Sequence, residues 1–271
     1  MGKRVPYGRV DFKAIREEEL LYIDKTMYIE KLESNNAIIF TRPRRFGKSM
    51  FTSMLGYYYS VGEAENFEKI FKGLYVYDNP TPYKNKYYIL QFNFSGIDIS
   101  EYKSLDEIEK SFDNKIQDAL GKFIGINNLK ITFDKTRTAA GMLSEVLMKF
   151  SELHKENNIY IMIDEYDHFT NGMLHRDAER LLKILGTSGF VRAFYEVIKE
   201  NLEGINPPIG RFFATGVTPV TLDSLTSGFN MAIKLTNNPI FTSMCGLTEE
   251  EVNLKENERI GNLTATKRVF A

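Results

Sequence analysis

Tryptophan is absent and cysteine occurs once, at Cys245, so neither an intramolecular disulfide nor a cysteine-rich zinc site can be built. That usage fits a reducing compartment. Histidine is nearly as scarce, and His154, His168 and His175 do not stand at metal-ligand spacing with further Cys or His partners. Neither sign of charge is in excess: 35 Lys plus Arg against 36 Asp plus Glu leave a formal net charge of −1. Contact with nucleic acid or a membrane would therefore need a local patch, because no global field favours it. Long hydrophobic runs are missing as well, none approaching the roughly 18 apolar residues that span a bilayer. Arg16, Glu17, Glu18 and Glu19 stand where a secretory signal needs an apolar core. The expectation is a soluble, cytoplasmic protein with no membrane partner.

What is present is the composition of a globular chain, 43% hydrophobic and 26% charged over 271 residues. That length suffices for one large α/β domain or two small ones. Strand signals are sparse and continuously apolar: Ala37–Thr41, Tyr87–Phe94, Ile159–Ile163, Arg211–Thr215 and, more weakly, Met231–Leu235. Continuous rather than alternating runs suit a parallel sheet buried on both faces. Between them the spacing predicts helices over Ser49–Tyr59, Ser104–Phe123, Thr138–His154 and Phe190–Leu202. Strands alternating with helices indicate βαβ units around a parallel sheet.

The segment Arg42–Ser49 (RPRRFGKS) follows the first apolar run and precedes the first helix. Gly47 lets backbone N–H groups wrap a phosphate without a Cβ in the way. Lys48 can neutralise β- and γ-phosphate charge, and Ser49 can offer its hydroxyl to Mg²⁺. The helix that begins here turns its positive end to the same point. Arg45, Phe46, Gly47, Lys48, Ser49 and Met50 are thus the nucleotide-binding candidates. Arg42 occupies the position of the usual first glycine, so by pattern the loop is degenerate, and a basic surface turn is the competing reading.

A phosphate loop of this kind needs a second strand that delivers a carboxylate to the metal. Ile159–Glu165 (IYIMIDE) fits, with Asp164 as a ligand of Mg²⁺ and Glu165 as the group that polarises the attacking water. A strand ending in a solvated acidic turn is the alternative. The glutamate directly after the metal aspartate favours hydrolysis over phosphate transfer. Asp167 is expected to order the turn. Thr215, at the end of the run Arg211–Thr215, would face the γ-phosphate if its strand lies between the other two; a hydroxyl that bonds its own backbone is the alternative. Arg44, Arg45, Arg192 and Arg211 are candidate phosphate contacts, Arg45 above the rest.

With those elements placed, the chain resembles the AAA-ATPase-like family of bacterial and archaeal proteins from about Pro6 to Val252. The resemblance rests on Tyr22–Thr26 (YIDKT), Thr41–Ser49 (TRPRRFGKS), Ile163–Asp167 (IDEYD), Thr215–Val220 (TGVTPV), Ser227–Asn230 (SGFN) and Cys245–Val252 (CGLTEEEV). It implies an additional-strand P-loop fold, a three-layer α/β/α sandwich with sheet order 5-1-4-3-2. It also implies ATP and Mg²⁺ as ligands, with Lys48, Ser49, Asp164 and Glu165 in the family's motif positions and Tyr22–Thr26 near the adenine. Family members usually continue into a helical lid and often a nuclease domain, whereas residues 253–271 carry no nuclease motif. The expected organisation is therefore an ATPase domain over 1–252 and a short tail, with lid and nuclease partner absent. The leading reading is an ATPase that drives a partner domain or subunit. The others are a non-hydrolysing nucleotide switch and a nucleic-acid-associated ATPase of genome defence.

Overall fold

The runs that are apolar without alternation form parallel strands. They are β1 Ala37–Thr41, β2 Tyr87–Asn93, β3 Asn158–Asp164, β4 Ile209–Gly216 and a short β5, Ile233–Lys234. The chain is described by a computed structural model for residues 4–96, 104–155, 158–168, 183–186, 189–218 and 232–253. The sheet order is β2-β3-β4-β1-β5, every pair parallel. Read from the other edge, this is the expected 5-1-4-3-2. β4 lies between β1 and β3, where the sequence reading needed it.

Parallel neighbours require crossovers, and helices supply them on both faces. The first half contributes α1 Phe12–Glu17, α2 Tyr28–Leu32, α3 Lys48–Tyr59, α4 Phe67–Phe71 and α5 Tyr75–Asp78. The second contributes α6 Leu105–Ile126, α7 Ala139–Leu153 and α8 Phe190–Leu202. Alternate side chains of each strand enter opposite cores. Ile39, Leu90, Ile161, Ile163 and Phe212 pack with Phe112, Leu143 and Phe194 on one face. Ile38, Phe40, Tyr160, Met162 and Phe213 pack with Phe51, Met54, Tyr58 and Phe71 on the other. Three layers result. The predicted apolar face of α6 is the buried one: Ile108, Phe112, Ile116, Leu120 and Phe123.

Capping chemistry sets the helix starts. Ser104 accepts from the Glu107 N–H while the Glu107 carboxylate reaches back to the Ser104 N–H, a reciprocal box. Thr138 accepts from the Gly141 N–H ahead of α7. The two residues read as first helical positions are thus caps, and the helices begin one residue later. β2 stops at Asn93, whose side chain accepts from the Ser95 N–H and closes a turn.

The register brings four strand ends level. Thr41 pairs with Gly216, Ile163 with Ala214, and Asn93 with Asp164. The turn after β1 and the acidic turn after β3 therefore leave the same edge, two strand spacings or roughly 10 Å apart. Arg211 is at the other end of β4. Buried there, it donates to Tyr87 Oη (3.2 Å), the Asn35 carbonyl (3.0 Å) and the Glu33 carbonyl (3.0 Å). It is a structural arginine at the amino-terminal edge and not a phosphate contact.

Among the described residues no helix is long and apolar enough to cross a membrane. Ser227–Asn230, Pro219, Val220, Met231, His175 and the tail from 254 onward lie outside the described residues.

Candidate functional site

The loop after β1 is anchored before it turns. The Arg42 N–H donates to the Gly216 carbonyl (3.1 Å), extending the β1–β4 ladder by one rung. Its guanidinium lies 4.5 Å from the Phe40 ring centre and donates to the carbonyls of Thr236 (2.8 Å), Phe241 (3.2 Å) and Thr242 (3.4 Å). The adjacent Thr41 hydroxyl bonds that of Thr236 (2.8 Å). Arginine in place of the first glycine therefore has a physical account. Its side chain leaves the loop and ties residues 236–242 to it.

Beyond Arg42 the backbone curls through left-handed positions at Arg45 (φ 68°) and Gly47 (φ 82°). Alternation of hand is how a loop shapes an anion-binding concavity. Gly47 caps α3 with no side chain, so the first-turn N–H groups of that helix receive no side-chain acceptor. The Lys48 side chain folds back over the loop and donates to the carbonyls of Arg42 (2.9 Å) and Pro43 (3.0 Å). Lys48 is buried, and burial holds its ammonium below the usual lysine range. The largest influence in the other direction is the Asp164 carboxylate, followed by Asp167. The ammonium and the acidic turn thus share one electrostatic neighbourhood. Ser49 and Met50 are half-buried at the start of α3. Arg44, Arg45 and Phe46 are exposed, and Phe46 abuts Gly246, where an added Cβ would come 2.9 Å from its ring.

On the acidic side, Asp164 is buried and accepts from Thr215 Oγ1 (2.6 Å) and from the Glu165 N–H (3.1 Å). Glu165 takes a left-handed backbone (φ 54°) directly after β3 ends. Its Oε2 lies 3.1 Å from His168 Nδ1. Asp167 is buried and accepts from the N–H groups of Val217 (3.0 Å) and Thr218 (2.6 Å) and from the Thr218 hydroxyl (2.9 Å). That clamp requires close approach: a Cβ at Gly216 would stand 2.5 Å from Asp167 Oδ1. Asp167 orders the turn, as its position in the sequence led us to expect.

The structure brings Lys48, Asp164, Glu165 and Thr215 to one sheet edge. Arg192 is bound within α8 to Glu196 (2.7 Å). In the Tyr22–Thr26 segment, Tyr22 packs on Phe12 at 5.0 Å and Asp24 and Thr26 accept from the Tyr75 and Val76 N–H groups. Lys25 pairs with Glu251. Sequence reasoning missed the His168 contact, for which the only signal was the three-residue spacing after the acidic pair. It also missed the tie made by Arg42, whose partners lie about two hundred residues away and left no local trace.

The Asp164 carboxylate, with Thr215 Oγ1 donating to it at the end of the neighbouring strand, is a hard oxygen donor of the kind a divalent cation takes, and Ser49 offers a hydroxyl at the start of α3. Among the described residues no three His, Cys, Asp or Glu side chains gather into a metal cluster. That donor set fits Mg²⁺, which is held by one or two carboxylates together with the phosphates of its nucleotide. A separate cleft of about 460 Å³ lies at the starts of α6, α7 and α8, but Asp106 and Glu109 on its wall oppose a polyphosphate.

A family described as "Predicted AAA-ATPase" matches residues 6–226. An uncharacterised protein encoded in the vnfD 5′ region of Azotobacter chroococcum mcd 1 is 24% identical over 255 residues, covering 93% of this chain and 44% of the relative. The chain thus spans less than half of that relative's length. No solved structure matches.

Proposed function

The chain belongs to the predicted AAA-ATPase family, and from that premise we propose that it is a P-loop ATPase binding ATP with Mg²⁺ at the β1–α3 turn. The observation that carries the reading is the level ending of β1, β4 and β3. It sets the buried Lys48 ammonium against the buried Asp164 carboxylate, which also accepts from Thr215. The two opposite charges suit a cation and a polyphosphate bound side by side.

Each residue has a role in this reading. Lys48 leaves the Arg42 and Pro43 carbonyls for β- and γ-phosphate oxygens, since hydrogen bonds to an ionised acceptor are roughly twice as strong as those to a neutral one. Arg45, Phe46, Gly47 and Met50 form the loop and first helical turn around the phosphates, with the positive end of α3 adding its field. Ser49 and Asp164 hold Mg²⁺, which supplies charge neutralisation at the phosphates when bound. Glu165 orients the attacking water, and Thr215 fixes Asp164 while facing the γ-phosphate. Turnover driving a partner domain or subunit accords with the greater length of the Azotobacter relative.

Phosphate release measured for the wild type and for Glu165→Gln tests the proposal. The wild type should hydrolyse ATP and the variant should bind it with little turnover, the loss being about 10²-fold or more for a positioned base. Unchanged turnover in the variant removes Glu165 from its role. Binding without turnover in the wild type would favour the non-hydrolysing switch.

A further inference from the structure

Glu165 and His168 close a turn on themselves twice. The His168 N–H donates to the Glu165 carbonyl (3.0 Å), and His168 Nδ1 stands 3.1 Å from Glu165 Oε2. Both side chains are about one-third exposed, at 33% and 31%. Among the described residues no lysine or arginine is within ion-pair distance of the Glu165 carboxylate. A glutamate so exposed would otherwise sample several rotamers, and a misplacement of about 1 Å can cost on the order of 10²-fold in rate. The left-handed backbone at Glu165 is a further constraint, of a kind that persists only where its surroundings hold it.

We propose that His168 is a positioning residue, its imidazole fixing the orientation of the Glu165 carboxylate in the turn after β3. The proposal deepens the ATPase reading and rests on it. Imidazole suits the task better than lysine or arginine would. The imidazole is a short planar ring whose Nδ1 meets the carboxylate from a fixed direction. Lysine and arginine are longer, with more rotatable bonds, and would hold the carboxylate less firmly. His168 acts through Glu165 and needs no contact with the nucleotide.

The test is a double-mutant cycle with a spectroscopic control. His168→Ala should lower kcat by roughly ten- to a hundredfold while leaving KM and the calorimetric affinity for ATP unchanged. His168→Asn should recover most of the rate, because its amide can donate from nearly the position of Nδ1. In the Glu165→Gln background the loss of His168 should have no further effect, since the two act as one unit. A full kcat in His168→Ala, or losses that multiply in the double variant, overturns the proposal. The imidazole nitrogen resonances of His168 should also shift in Glu165→Gln, and unchanged resonances would refute the pairing whether or not ATP is turned over. A wild type that binds ATP without hydrolysing it would instead overturn the ATPase reading, while the resonances still decide the pairing.

Discussion

Cys245 shows how strongly the site depends on burial. Its thiol lies among Arg42, Lys48 and Lys25, all of which would favour a thiolate, yet burial pushes it up to about 12 from an ordinary 9.0. Desolvation outweighs three cations, so the group is a packed neutral thiol and not a nucleophile. The folded pKa lies above the unfolded one. The stability it contributes is therefore complete below about pH 9 and is lost as pH rises toward 12, where only the unfolded chain ionises. We expect a thiol reagent at pH 8 to modify Cys245 in denaturant and not in the native protein. The denaturation midpoint should also fall less steeply above pH 9 in Cys245→Ala than in wild type. Rapid native-state labelling would contradict the account. The same balance applies to Lys48, where burial lowers the ammonium's pKa and Asp164 opposes it. These individual positions were partly legible. Asp164 and Thr215 could be read because each ends an apolar run, and Lys48 because it opens the helix after the loop that follows one; in a parallel sheet the carboxyl ends share one edge. His168 was not, because its contact forms within a turn that includes a left-handed Glu165, which no propensity of glutamate announces.

At the scale of one element, β4 has two unlike ends. Its carboxyl end carries Thr215 and Gly216 into the site, and its amino end carries Arg211 into a buried network with Glu33, Asn35 and Tyr87. Arg211→Met should leave two backbone carbonyls without their donor and cost about 1–3 kcal/mol of stability. Turnover per folded molecule should be unchanged. A selective loss of turnover would return Arg211 to the phosphate. The turn after β1 yields a second prediction. Arg42→Met should free the carbonyls of Thr236, Phe241 and Thr242, and limited proteolysis should then cut between residues 236 and 246 sooner than in wild type. Equal protease resistance would contradict the anchoring role. The main strands and the helices α3, α6, α7 and α8 were readable from apolar runs and 3.6-residue periodicity, with ends displaced by a residue where Ser104 and Thr138 act as caps, whereas α1, α2, α4 and α5 are too short to show a period. The brevity of β5 was not readable, since its residues Ile233 and Lys234 are exposed and only pairing with β1 defines them.

For the whole molecule, the parallel sheet separates two cores and leaves one edge where Lys48, Asp164, Glu165 and Thr215 converge. Arg42 ties residues 236–242 to that edge, so a nucleotide that draws Lys48 off the Arg42 carbonyl acts on the same residue that holds this segment. Bound nucleotide should therefore stabilise the fold as mass action requires, by about 2.7 kcal/mol at a hundredfold excess over Kd, read as a rise in Tm. The measurement that bears most directly on a shared phosphate and metal pocket is calorimetric titration of ATP, with and without Mg²⁺, into wild type, Lys48→Ala and Asp164→Asn. The account predicts binding by wild type that Mg²⁺ strengthens, no detectable binding by Lys48→Ala, and binding by Asp164→Asn that Mg²⁺ no longer strengthens. Wild-type affinity in Lys48→Ala, or an undiminished Mg²⁺ effect in Asp164→Asn, would contradict it.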